Sequence, residues 1–152
     1  MPKPSATTYR SIFFVTALLL FTACQNHKLE PAALSPEDMC TDCKMAISEK
    51  QFAAQYLTKD GDAVKFDDLG CLAHYLKSHP QQRADIAAFF VMDYGAKQWL
   101  KAESAFYVHA DKFHTPMQGG FAAFNSRQQA EAAAAAKQGR LLNWQEVLAS
   151  SK

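Results

Sequence analysis

Phe52-Ala53-Ala54-Gln55-Tyr56-Leu57, Lys59-Asp60-Gly61-Asp62, Ala63-Val64-Lys65-Phe66 and Asp67-Asp68 follow one another in the first half of the chain. The outer stretches have strand character, and the polar, glycine-bearing piece between them has hairpin-turn chemistry, so the segment predicts two antiparallel strands. Asp67 or Asp68 can then cap a helix whose apolar positions Leu69, Leu72, Ala73 and Leu76 recur at helical spacing up to Pro80. Ile86 to Met92 is a continuous apolar run of strand length. The expected order of this half is therefore strand, strand, helix, strand.

The second half repeats that order more faintly. Ala105 to His109 and Phe121 to Phe124 read as strands, Ser126 caps an alanine-rich helix through Lys137, and Gly139 ends it. Arg140-Leu141-Leu142 reads as a short strand before a helical turn at Trp144 to Leu148. Two echoes tie the halves together: Phe-Ala-Ala at Phe52 and at Phe121, each after a methionine-bearing loop, and Phe66-Asp67-Asp68 against Phe124-Asn125-Ser126. The expected fold class is α+β, with duplicated small strand-strand-helix-strand units packed as one domain. The duplication places the Met45 and Met117 loops at equivalent positions, facing each other.

Working outward to the N-terminus, Lys3 and Arg10 precede an apolar core at Ile12 to Phe21, and Thr22-Ala23 supplies small residues before Cys24. This is the pattern of a bacterial lipoprotein signal, cleaved before Cys24, whose thiol is lipidated. The competing reading is a membrane-spanning helix, for which the apolar stretch falls short of the usual length of about 20 residues. Residues 1–23 are thus expected to be a signal peptide, 24–37 a polar tether containing Pro31 and Pro36, and 38–152 one duplicated metal-binding domain. The expected location is the periplasmic side of a bacterial membrane, inner or outer.

The leader takes Lys3 and Arg10 from the 16 basic side chains and nothing from the 15 acidic ones, leaving 14 against 15. Near neutrality and the lack of a basic run argue against nucleic acid as a partner. A hydrophobic content of 49% fits a domain with a real core.

The chemistry gathers in Met39-Cys40-Thr41-Asp42-Cys43-Lys44-Met45, where two thiols and two thioethers lie within seven residues. Soft sulfur donors select soft ions, and Cu(I) gains most from thioether ligation. Met117, in Thr115-Pro116-Met117-Gln118-Gly119-Gly120, is a further candidate thioether, and His114 a candidate imidazole. Each has a blander reading: the methionines as adaptable core fillers, and His109 or His114 as ordinary surface histidines. Cys40 and Cys43 could pair as a disulfide with each other or with Cys71. Two further readings stand. Cys40 and Cys43 with Cys71 and His74 have the spacing of a zinc site, although in the amphipathic helix Cys71 is equally a packing residue. Cys40-x-x-Cys43 also resembles a thiol–disulfide oxidoreductase pair.

Met39-Cys40, Cys43-Lys44-Met45-Ala46-Ile47, Phe66-Asp67-Asp68-Leu69-Gly70-Cys71 and Thr115-Pro116-Met117-Gln118-Gly119-Gly120-Phe121 together resemble the NosL family, the nitrous-oxide-reductase accessory lipoproteins. The resemblance runs from Asp38 to about Leu148. It implies a non-enzymatic periplasmic Cu(I) chaperone of duplicated α+β fold, delivering copper for the reductase's copper–sulfide centre. It also implies partners in the ABC-type membrane assembly complex and its periplasmic component, besides the membrane reached through lipid on Cys24. On this reading Cys43, Met45 and Met117 hold the copper, with Cys40, Met39 and His114 as additional ligands.

Overall fold

The computed structural model describes residues 29–150. The leader, its cleavage point and Cys24 lie outside the described residues. No described helix is long and apolar enough to cross a membrane.

Strand β1 (Ala54–Thr58) pairs antiparallel with β2 (Ala63–Phe66), as the Lys59–Asp62 turn chemistry predicts. Helix α1 (Leu69–Ser78) follows, then β3 (Ile86–Met92), which returns to the other side of β1. The apolar positions of α1 form its buried face: Leu69, Leu72, Ala73 and Leu76 are all covered. A short strand β4 (Trp99–Lys101), unanticipated from the sequence, extends the sheet to the order β2-β1-β3-β4.

In the second half β5 (Phe106–His109) and β6 (Phe121–Phe124) form the hairpin. Helix α2 (Arg127–Lys137) is capped by the Ser126 side chain, and β7 (Arg140–Leu142) pairs with β5, giving the order β6-β5-β7. That is the order β2-β1-β3 over again, so the α+β class and the repeated topology are both present. Helix α3 (Trp144–Ala149) closes the chain with a reciprocal capping box between Asn143 and Glu146.

The topology corrects one of the two sequence echoes. Phe66 and Phe124 both end the second strand of their unit, so Phe66-Asp67-Asp68 and Phe124-Asn125-Ser126 are true counterparts. Phe52-Ala53-Ala54, however, leads into the first strand of its unit, whereas Phe121-Ala122-Ala123 lies in the second strand. The Met45 loop therefore precedes β1, while the Met117 loop joins β5 to β6, and the two are not at equivalent positions. Alanine pairs suit any strand with a close neighbour, which is why the motif misled.

Two further expectations shift. Part of the segment read as tether is fixed to the domain: the buried Gln55 side chain exchanges two hydrogen bonds with the Ala32 backbone (3.0 and 2.9 Å), and the Lys65 ammonium donates to the Ala33 carbonyl. At the end of α2 the left-handed residue is Gln138 (φ 57°), not Gly139. Gly139 is needed for another reason, since a Cβ there would stand 2.6 Å from the His109 carbonyl oxygen.

One core runs through both halves. Tyr56, Phe66, Leu72 and Val91 of the first half bury together with Tyr107, Phe121, Trp144 and Val147 of the second. Asp93, itself buried, fastens the join: its carboxylate accepts from Gly95 and Ala96 on its own turn and from Asn125 across the interface. Next to it the Tyr94 amide donates to the Ala123 carbonyl.

Candidate metal centre

Residues 38–47 form a tight antiparallel loop against the edge of the first sheet. Ile47 N–H donates to the Asp38 carbonyl, Cys40 N–H to that of Met45 and Lys44 N–H to that of Cys40, while Thr41 N–H reaches the Lys65 carbonyl of β2. Lys44 adopts the left-handed conformation (φ 64°), a strained choice for a non-glycine that closes the turn. The alternation that results sends Cys40 inward, fully buried, and Met39 and Met45 outward.

Beneath this loop lies the junction of β2 and α1, where the two adjacent aspartates divide their work. Asp68 is the N-cap, its Oδ1 accepting from Cys71 N–H at 2.8 Å. Its Oδ2 accepts from Met117 N–H at 3.0 Å, tying the loop of the second half to the helix of the first. Asp67 caps nothing. One of its oxygens accepts from the Cys43 thiol at 3.3 Å, and the other, Oδ1, is buried with no partner.

The donor atoms of Cys40, Cys43, Asp67 and Cys71 all lie within 4.8 Å of one another. All three cysteines are free thiols. A hydrogen bond from the Cys71 thiol brings Cys40 down to about 7, against the opposing effect of its burial. Burial pushes Cys43 up to about 11, helped by its neighbours Cys40 and Asp67. Cys71 is driven well above the thiol range, first by its hydrogen bond to Cys40 and then by burial and Asp67. Of the three thiols, Cys40 is thus the one whose anion its surroundings favour. The N-terminal end of α1, close by, adds a favourable partial charge for that anion.

A cleft of about 840 Å³ opens over the cluster. Cys43, Cys71 and His74 line it from the first half, and His109, Met117 and Phe121 from the second. Its two sides meet where Gly70 and Gly119 touch, each so close that a Cβ on one would stand 3.5–3.6 Å from the Cα of the other. Gln118, beside Met117, is left-handed (φ 56°), so both methionine-bearing loops turn on a strained residue next to the thioether.

Of the residues proposed from sequence, Cys40 and Cys43 are in the cluster and Met117 overlooks it. Met39, Met45 and Met117 are 52%, 48% and 47% exposed, which removes the reading of these methionines as core fillers. Met39 and Met45 border the cluster's loop but do not line the cleft, and His114 is exposed away from it. His74, offered as a zinc ligand, turns instead to Asp42, with its Nδ1 at 2.9 and 3.0 Å from the two carboxylate oxygens. Sequence reading missed Asp67 and undervalued Cys71. The one local signal for Asp67 was the doubled aspartate, since a helix needs only one cap.

Three sulfurs and a carboxylate oxygen converging at this range suit a soft or borderline ion. The buried, unpartnered Asp67 oxygen marks a place where a cation would complete the bonding.

Residues 31–151 match the family described as NosL, and the chain belongs to the NosL family. No curated protein sequence matches it. Among solved structures, the chain is similar in fold to the crystal structure of the copper chaperone NosL from Shewanella denitrificans. The TM-score is 0.70 at 19% identity, over 78% of this chain and 96% of that one.

Proposed function

We propose that this chain is a Cu(I) carrier rather than an enzyme, holding copper on the Cys40, Cys43, Asp67 and Cys71 cluster with thioether help from Met117 and from the exposed Met45 and Met39. The observation that carries the proposal is the convergence of these four donors at the floor of a cleft whose opposite wall presents a methionine. Membership of the NosL family and likeness to a copper chaperone support the choice of metal. Copper transfer follows from ligand exchange: an ion held by a few sulfurs beside an open cleft accepts an incoming donor before the last protein ligand leaves, so it is never released free. In the cell we place the chain on the periplasmic side of a bacterial membrane, anchored through Cys24. Its client is the copper–sulfide centre of nitrous oxide reductase, reached with the ABC-type assembly complex and that complex's periplasmic component.

The four-donor count also suits tetrahedral zinc, with Asp67 in the place first given to His74. Competition on the reduced protein decides between them: Cu(I) binds and excess zinc fails to displace it, whereas stoichiometric zinc that resists Cu(I) refutes the carrier reading. A thiol–disulfide oxidoreductase needs an accessible attacking thiol, and complete burial of Cys40 speaks against that role. Met117→Leu tests the contribution of the second half. Met117 is 47% exposed, so the swap changes stability by less than about 0.5 kcal/mol. Loss of its thioether weakens Cu(I) binding by about tenfold or more, about 1.4 kcal/mol. Unchanged affinity would take Met117 out of the site.

A further inference from the structure

The thiol cluster holds more sulfur chemistry than metal binding alone uses. Cys40, Cys43 and Cys71 are all free, and their sulfurs lie within 4.8 Å of one another, so joining two of them needs a shift of side chains rather than of whole elements. The three differ in what can reach them. Cys40 is 0% exposed and Cys71 2%, while Cys43 is half-buried and lines the cleft. At about 840 Å³ the cleft is far larger than an ion requires and has room for a thiol-bearing side chain from outside.

The pair that the backbone prepares is Cys40 with Cys43. Lys44 N–H donates to the Cys40 carbonyl at 3.0 Å, closing one turn, and Lys44 takes the left-handed conformation that ends it. A closed turn holds residues three apart within the roughly 4–7 Å between Cα atoms that a disulfide spans. Cys71 is held differently, in the first turn of α1 with its N–H on Asp68 at 2.8 Å. A bond from Cys71 to Cys40 would join the two most covered sulfurs, out of reach of an outside thiol. Asp67 decides how durable the accessible bond is. Its Oδ2 accepts from the Cys43 thiol at 3.3 Å, and its Oδ1 has no partner. Joining Cys43 to Cys40 takes that donor away from an already under-satisfied buried carboxylate, which favours the reduced state. The bond is therefore of the labile, exchangeable kind and not a structural staple.

We infer that Cys43 is a thiol–disulfide exchange site, at which an outside thiolate opens a Cys40–Cys43 disulfide and makes the cluster ready for copper. The gating of copper rests on the carrier reading, whereas the exchange chemistry does not. Buried Cys40 cannot attack other proteins, so the chain is the substrate of a thiol donor and not itself an oxidoreductase. In oxidation the Cys43 thiolate attacks an external disulfide and releases one thiol. The Cys40 sulfur then attacks the Cys43 sulfur and releases the second, so two electrons and two protons leave with the two thiols. In reduction the external thiolate attacks the Cys43 sulfur, and Cys40 departs as a thiolate and takes up a proton. A second external thiol then frees Cys43 from the mixed disulfide and leaves as the external disulfide. The oxidised form has two of its four donors tied in one bond and holds no Cu(I).

The test uses the full chain in detergent, free of metal, equilibrated in buffers of reduced and oxidised glutathione, quenched in acid, alkylated in denaturant and mapped by mass spectrometry. The expected result for the oxidised wild type is a Cys40–Cys43 bond with Cys71 alkylated. A bond that includes Cys71, or no bond in the most oxidising buffer, overturns the inference, and both are read on the wild-type chain whatever the variants do. In the double variant Cys40→Ser/Cys71→Ser, glutathione stays on Cys43. In Cys43→Ser/Cys71→Ser, Cys40 takes at least about tenfold less, and equal labelling of the two removes Cys43 as the point of attack. Reduced thioredoxin and reduced glutathione, compared at equal thiol concentration, separate a protein dithiol from a small thiol as the donor, and failure of both to open the bond also overturns the inference. Cu(I) titration against a chelator keeps the two readings apart. Reduced protein that binds Cu(I) but forms no Cys40–Cys43 bond keeps the carrier and loses the exchange site. A Cys40–Cys43 bond in protein that still binds Cu(I) as tightly as the reduced form keeps the exchange site and removes these thiols from the carrier.

Discussion

Asp67→Asn should make the empty protein more stable and the loaded protein weaker. Asp67 is 1% exposed, and one of its two carboxylate oxygens has no hydrogen-bond partner. An unsatisfied buried polar group costs about 1–3 kcal/mol. Asparagine has the same shape, can still accept from the Cys43 thiol through its carbonyl oxygen, and replaces the orphan oxygen with an amide that can donate towards the Cys40 sulfur. Taking the lower end of the range, the reduced, metal-free variant gains about 1 kcal/mol, which for a domain of this size is about 4 °C in melting temperature. The same change removes an anionic oxygen from the donor set, so Cu(I) affinity falls, and the stabilisation on adding copper shrinks with it. Thermal unfolding with and without Cu(I), paired with chelator competition, measures both quantities on one sample. A variant that is less stable by 1 kcal/mol or more and binds copper as before would show Asp67 to be a structural residue, and the reasoning from its orphan oxygen would be refuted.

The thiols make the stability of the reduced, metal-free protein depend on pH in two opposite senses. Cys40, lowered to about 7 in the fold, adds stability that is complete above the unfolded thiol value and is lost as pH falls towards 7. Cys43, raised to about 11, contributes stability below the unfolded thiol value that is lost as pH rises towards 11. Denaturant unfolding across this range should therefore show stability rising from about pH 7 to about 9 and falling above it, and a flat profile would contradict the thiol assignments. Oxidation with diamide should join two of the clustered cysteines, abolish Cu(I) binding and be reversed by reductant; oxidised protein that binds copper unchanged would exclude the thiols from the site.

The first sheet was readable because each signal was local: a glycine-bearing turn, a helical apolar stripe, an apolar run of strand length. β4 escaped because Trp99–Lys101 has only three residues and owes its conformation to pairing with β3. In the metal centre, Cys40 and Cys43 were legible from their spacing on one loop. Asp67 and Cys71 were not, because nothing in a helix cap or an amphipathic stripe tells which side chain a distant loop will cover. The methionines were legible as candidate donors, but their exposure was not. The backbone pairing of Met39 with Ala46, and of the loop with β2, fixes which way that loop's side chains point. The Met45–Met117 symmetry failed because a three-residue echo was aligned without its strand.

Asp68 has an effect on the history open to this fold. With one oxygen on the Cys71 amide and the other on the Met117 amide, it spends half of its bonding capacity outside its own repeat. Its counterpart Ser126 has a single side-chain oxygen and spends it locally, on Gln129. Had the two repeats stayed alike, either could in principle have survived as a separate unit and reassembled as a pair of identical copies. A carboxylate at one copy of the position and a hydroxyl at the other breaks that equality. The repeats are no longer interchangeable parts, because the first holds in place a loop that belongs to the second.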